Sequence, residues 1–221
     1  MKNIKGNKAA LNKLLVVSPH QDDFIIGCGG TLLKHREKTR QGIIFFYNII
    51  NQLETRSSLK LLNIDRCYYL SNKSRDFIFN QKSLFELIEI FRQFKPISLL
   101  VVADDGDRDH KVCSEICLEA AWLAGTPFFP KLGKLHDIEN ILIYSVWSEC
   151  KKPHIIENID DQIQSKLKAI RMHRSQNFSF AYDDLIVSRD RIYGLLKGCK
   201  YAEAFRVVKV GLDFQVHRKG Q

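Results

Sequence analysis

Short, wholly apolar runs alternate with longer amphipathic stretches along the first two thirds of the chain. Runs at Leu14–Val17, Gly42–Tyr47, Cys67–Leu70 and Ile97–Val102 carry no alternating polar face, which predicts strands covered on both sides. Between them, apolar positions recur with a helical period over about Gly29–Lys38, Glu54–Leu62, Lys82–Phe94 and His110–Leu123. Lys95-Pro96 ends the third of these helices, because proline disfavours helical backbone in the residue before it. A strand–helix alternation of this kind predicts an α/β fold, Rossmann-like and doubly wound, with a mostly parallel sheet and helices on both faces. After Ala124 the rhythm changes. Gly125-Thr126-Pro127 and Phe128-Phe129-Pro130 mark a loop. Strands are expected near Asn140–Val146, His154–Ile159 and Tyr201–Val210, with helices near Gln162–His173 and Ser188–Leu196. No repeat, low-complexity segment or linker interrupts the pattern, so residues 1–221 are expected to form a single domain.

That topology has a functional consequence. In a doubly wound sheet of order 3-2-1-4, strands 1 and 4 are neighbours, and ligands bind outside their carboxyl ends, where the chain reverses direction. The first strand runs into Pro19-His20-Gln21-Asp22-Asp23, followed by a glycine-rich stretch at Gly27, Gly29 and Gly30 that reads as a turn. The fourth runs into Asp105-Gly106-Asp107-Arg108-Asp109-His110. Two clusters of imidazoles and carboxylates, far apart in the sequence, are thereby expected to meet.

Composition narrows the class. Of 221 residues, 45% are hydrophobic and 27% charged, a globular balance, and no apolar run is long enough to span a membrane. The stretch MKNIKGNKAALNK is basic and polar and lacks the apolar core of a signal peptide, which points to the cytoplasm. Free thiols are expected for the six cysteines, with Cys113 and Cys117 one helical turn apart in the core. The net charge of +9 fits an anionic surface or a phosphate-bearing substrate. The cationic residues are dispersed and not interleaved with aromatics, which argues against a nucleic-acid reader and leaves peripheral membrane contact and homo-oligomerisation open. A dinucleotide site is disfavoured. Leu32 stands where that fingerprint needs a small residue, Tyr47-Asn48-Ile49 offers no acid for a ribose, and Asp22 and Asp23 would repel a pyrophosphate.

Zinc accepts imidazole and carboxylate ligands, and catalytic zinc keeps a position open for water. His20 and Asp23, three residues apart on one loop, suit a single ion, with His110 as a third ligand from across the switch point. Asp22 then stands beside a ligand, free to act as a general base. The competing reading is that the two aspartates cap a helix and His110 lies on the surface.

At these residues the sequence resembles the LmbE-like (PIG-L) family of zinc-dependent de-N-acetylases. That family's His-Pro-Asp-Asp-Glu motif is matched by His20-Gln21-Asp22-Asp23-Phe24, and its Gly-x-Gly-Gly turn by Gly27-Cys28-Gly29-Gly30. Its Asp-His pair is matched by Asp109-His110, and its His-x-Ser-Gln by His173-Arg174-Ser175-Gln176. The final strand is matched by Tyr201-Ala202-Glu203-Ala204-Phe205-Arg206. The resemblance implies a Zn2+-dependent amidohydrolase that removes an N-acetyl group from an amino sugar such as an N-acetylglucosamine conjugate. In it His20, Asp23 and His110 hold the metal, Asp22 activates the bound water, and Asp109 orients neighbouring groups. Asp107, Arg56 and His173 would lie close to substrate or metal. Three departures stand out: Gln21 for Pro, Phe24 for Glu, and Asp107 where the family sets a His or other polar residue. An aspartate at 107 would donate a proton only if nearby carboxylates raised its pKa. A family member that binds zinc and sugar without turnover is the alternative.

Overall fold

The computed structural model describes residues 12–47, 52–73, 75–177 and 180–211. Most of the basic N-terminal stretch, together with Asn48, Ile49 and Asn51, falls outside them, as does the Gln176 side chain.

Seven strands among the described residues form one sheet in the order β3-β2-β1-β4-β5-β7-β6. They are β1 (Asn12–Ser18), β2 (Thr39–Tyr47), β3 (Arg66–Asn72), β4 (Ser98–Val102), β5 (Asn140–Tyr144), β6 (Ile155–Asn158) and β7 (Ala202–Lys209). β1 pairs in parallel with both β2 and β4, as the crossover rule requires, and β5 extends the parallel block. β7 pairs antiparallel with both β5 and β6. The expected α/β, Rossmann-like doubly wound architecture is borne out.

The helices are α1 (Asp23–His35), α2 (Gln52–Leu62), α3 (Gln81–Phe94), α4 (Arg108–Ala124), α5 (Ile163–Ile170), α6 (Arg174–Asn177) and α7 (Tyr182–Lys197). α3 and α4 pack together, while α1, α2, α5 and α7 pack among themselves. The core runs through both layers. Leu15, Val17, Ile43, Phe45, Leu99 and Val101 of the central strands are fully buried. α3 closes as expected: Lys95 turns left-handed (φ 57°) ahead of Pro96.

One sequence expectation is corrected. The first helix begins at Asp23, not near Gly29, so Gly27, Gly29 and Gly30 lie inside it and none is a turn glycine. They serve close packing instead. A Cβ on Gly27 would stand 2.1 Å from the Tyr144 ring, and one on Gly30 would stand 2.7 Å from Ile159.

α1 is also broken at Cys28 (φ −147°, ψ 15°). A break frees backbone groups that burial does not allow to stay unpaired. Arg189 of α7 donates to the Ile26 carbonyl. Glu203 of β7 accepts from Gly30 N–H (2.8 Å), Thr31 N–H (2.7 Å) and the Thr31 hydroxyl (2.6 Å). Lys166 of α5 neutralises that carboxylate at 2.6 Å and reaches Asp190 of α7 at the same distance, all three being buried. The helix that carries Asp23 is thus braced from three later segments.

Candidate metal and active site

The loops after β1 and β4 meet at the carboxyl end of the sheet. His20, Asp23 and His110 each present one ligand atom, and these atoms lie within 4.8 Å of one another. Asp23 Oδ2 is the centre of the group. It lies 3.1 Å from His20 Nδ1 and 3.3 Å from His110 Nε2, and accepts from the His20 backbone N–H at 2.7 Å. The two imidazole rings stand 5.3 Å apart.

Each histidine is oriented from its far side. His110 Nδ1 meets Asp105 Oδ1 at 2.8 Å, and the other oxygen of Asp105 accepts from the backbone N–H groups of Val146 (3.0 Å) and Trp147 (2.9 Å). His20 Nε2 meets Asp109 Oδ2 at 3.1 Å, which also accepts from the Arg75 N–H at 2.8 Å. Carboxylate support of this kind fixes ring orientation at metal-binding histidines. Asp105 and Arg75 were not singled out from the sequence. The acidic run after β4 was the signal for Asp105, whereas Arg75 sits in a segment with no motif.

The cluster passes a test of fit for a divalent cation. His110 Nε2 is buried with no hydrogen-bond partner, although it lies 3.3 Å from Asp23 Oδ2. An orphaned imidazole nitrogen facing a buried carboxylate oxygen, with a second imidazole alongside, is a donor set suited to zinc. Electrostatics agree. Burial alone would lower both imidazoles, but Asp23 and Asp109 raise His20 to about 9, and Asp23 and Asp105 raise His110 to about 10. Burial alone would raise Asp23, yet His110 and His20 hold it well below the usual carboxylate range. A positive charge is wanted at this point, and protons supply it in the absence of metal.

Asp22 stands apart from that network. It occupies the N-cap position of α1, but its side chain makes no capping hydrogen bond, which removes the capping reading for it. Burial, and then the charge of Asp23, push its carboxyl up to about 7. A buried carboxyl poised near neutrality beside a ligand set has the properties of a proton acceptor.

The remaining expectations divide. Asp107 caps α4, accepting from the Asp109 N–H at 2.8 Å, and forms an ion pair with Arg75. Although burial works the other way, Arg75 and His110 hold its pKa below the usual range, so a raised, proton-donating Asp107 is corrected. His173 is buried with Nε2 2.8 Å from the Ser58 hydroxyl, and burial lowers it to about 4, leaving it neutral. Ser58 in turn bonds the Thr55 carbonyl, and the Thr55 hydroxyl lies 3.4 Å from Gln21 Oε1. His173 therefore supports the His20 loop through α2. Arg56 is exposed on α2, with its charge near the Tyr69 phenol. Phe24, which replaces the family's glutamate, is fully buried against Phe45 at 5.8 Å. All six cysteines are free, and Cys113 and Cys117 are buried.

No family model matches the chain. A diacetylchitobiose deacetylase of Thermococcus kodakarensis is 24% identical over 227 residues, covering 90% of this chain and 84% of that protein. This chain is thus similar to a deacetylase over most of its length. Its fold is also that of the N,N'-diacetylchitobiose deacetylase of Pyrococcus horikoshii, at TM-score 0.78 and 22% identity, covering 90% of this chain and 85% of that one. GalB, the 4-carboxy-2-hydroxymuconate hydratase of Pseudomonas putida KT2440, shares the fold at TM-score 0.78 and 17% identity, covering 92% of this chain and 98% of that one. The structural likenesses speak for the fold alone, and the hydratase makes plain that this fold carries more than one reaction.

Proposed function

We propose that this protein is a zinc-dependent hydrolase that removes the acetyl group from an N-acetylated amino sugar. The single observation that carries the reading is the convergence of His20, Asp23 and His110 around a buried, unpartnered imidazole nitrogen, with an uncapped Asp22 beside them. The relationship to a diacetylchitobiose deacetylase supports the substrate class.

His20, Asp23 and His110 would hold the ion. A bound zinc supplies Lewis acidity, polarising the acyl carbonyl and bringing the pKa of a water from about 15.7 towards 7. Asp22 takes the proton of the attacking water on its carboxylate, a role its position near neutrality suits. Asp109 and Asp105 hold the two imidazoles in the orientation the metal needs. Arg75 pairs with Asp107, so that carboxylate adds no net negative charge beside the site. With Asp107 ionised, the proton delivered to the leaving nitrogen is the one Asp22 has collected.

A zinc- and sugar-binding protein without turnover has less behind it. Phe24 lies in the core and Asp107 at a helix cap, so neither departure removes a group from the cluster. Acetate release from a panel of N-acetylated amino sugars, with and without a chelator, tests the proposal. Zinc-restored release supports it. No release from any member at full zinc occupancy would overturn it.

A further inference from the structure

Three aromatic side chains stand beside this cluster with no part in the chemistry above. Trp147 follows β5, Tyr182 opens α7, and Phe180 lies just before it. Each ring touches the other two. Trp147 and Phe180 meet edge to face at 5.5 Å, Trp147 and Tyr182 at 6.0 Å, and Phe180 and Tyr182 at 5.1 Å. Tyr182 is buried beneath the group, whereas Trp147 and Phe180 leave 38% and 46% of their surface open.

The trio is tied to the site from two directions. The Trp147 backbone N–H bonds the same Asp105 carboxylate that orients His110. The Tyr182 phenol is raised by burial and then by the nearby charges of Asp22 and Asp23. The rings therefore flank the point at which the carbonyl carbon of the N-acyl group would be attacked.

We propose that Trp147 and Phe180, backed by Tyr182, form the platform on which the pyranose ring of the substrate lies. The inference rests on the amino-sugar reading and extends it to the residues that select the sugar. A pyranose has faces of C–H groups and an edge of hydroxyls. The C–H face matches the electron-rich face of an aromatic ring, and the hydroxyls stay in water or meet polar groups at the rim. A long acyl chain would instead call for an enclosed apolar channel, and these two rings are open to solvent.

The chain has two tryptophans, so Trp122→Phe leaves Trp147 as the sole tryptophan, read by excitation at a wavelength that tyrosine does not absorb; Trp122 is 59% exposed and tolerant of the change. Zinc-supplemented Trp122→Phe protein is titrated with glucosamine and its β-1,4 dimer, amines that cannot turn over, with glycerol as control. The expected result is a saturable change in emission with the sugars and none with glycerol. In parallel, Trp147→Ala should raise the KM for the N-acetylated sugar about tenfold with kcat nearly unchanged, while Trp147→Phe stays within about threefold of wild type. Phe180→Leu repeats the test on the second ring. Silent emission together with an unchanged KM overturns the platform while leaving the hydrolase standing. A saturable emission change without acetate release keeps the platform and overturns the hydrolase. Silence in both assays removes both.

Discussion

Glu203 lies far from the metal cluster in sequence, yet it braces the helix that carries Asp23, and its removal is the sharpest test of the fold described above. Its carboxylate is buried and serves the Gly30 and Thr31 N–H groups, the Thr31 hydroxyl and Lys166. Glu203→Ala breaks a buried ion pair, which costs about 3–5 kcal/mol when one partner goes. Lys166 keeps Asp190 at 2.6 Å, so the lower end of that range applies. The two amides left without an acceptor cost about 1–3 kcal/mol each, and the terms overlap because they share one carboxylate. A total of about 5 kcal/mol follows, a large share of the roughly 5–15 kcal/mol that holds a domain together. Glu203→Gln keeps an acceptor oxygen but loses the charge opposite Lys166, and about 2–3 kcal/mol is expected. Urea unfolding followed by far-ultraviolet circular dichroism measures both. The glutamine variant should also bind zinc more weakly, since the break in α1 helps to set where Asp23 points. Variants within about 0.5 kcal/mol of wild type, with unchanged zinc affinity, would refute the bracing role.

Five further outcomes are expected. Asp22→Asn keeps stoichiometric zinc by elemental analysis but loses at least about a hundredfold in kcat; retained turnover removes Asp22 as the base. Asp105→Asn weakens zinc binding about 10–100-fold by calorimetry through loss of the His110 support, and an unchanged affinity refutes it. Zinc must displace protons from His20 and His110, whose metal-free values are about 9 and 10. Affinity measured by dye competition should therefore climb roughly a hundredfold per pH unit near neutrality, against a flat profile if the rings were already neutral. The same raised values stabilise the metal-free fold fully below the ordinary 6.5, and that stability fades as pH rises through 9 and 10, so the Tm of stripped protein should fall towards alkaline pH. Gly27→Ala drives a methyl into the Tyr144 ring and should cost about 1–3 kcal/mol or more, whereas Gly29→Ala, with its nearest contact at 3.4 Å, should be tolerated; equal melting temperatures would refute the packing argument.

How much of this was legible beforehand depends on the range of the interaction. The central strands declared themselves because burial on both faces leaves continuous apolar runs such as Leu14–Val17 and Ile97–Val102. The order 3-2-1-4 of the first four strands followed from the usual doubly wound arrangement, whereas the antiparallel β7 between β5 and β6 did not. His20, Asp22 and Asp23 were visible because their spacing is local, and His110 because it follows the strand that must neighbour the first. The glycines misled for a physical reason. Intrinsic propensity counts them as helix breakers, but here the close approach of Tyr144 and Ile159 outweighs propensity.

By itself, then, the sequence determined the architecture, the meeting of two loops at one sheet end and the residue types gathered there, since burial periodicity and chain handedness are properties of short segments. Only the tertiary structure decided which far-side carboxylate holds each imidazole, that Arg75 turns Asp107 into an ionised cap, that Glu203 mends a broken helix, and that three rings converge beside Asp22. Those contacts depend on strand register and on side-chain direction between segments far apart in the chain, and no local pattern of hydrophobic and polar residues encodes either.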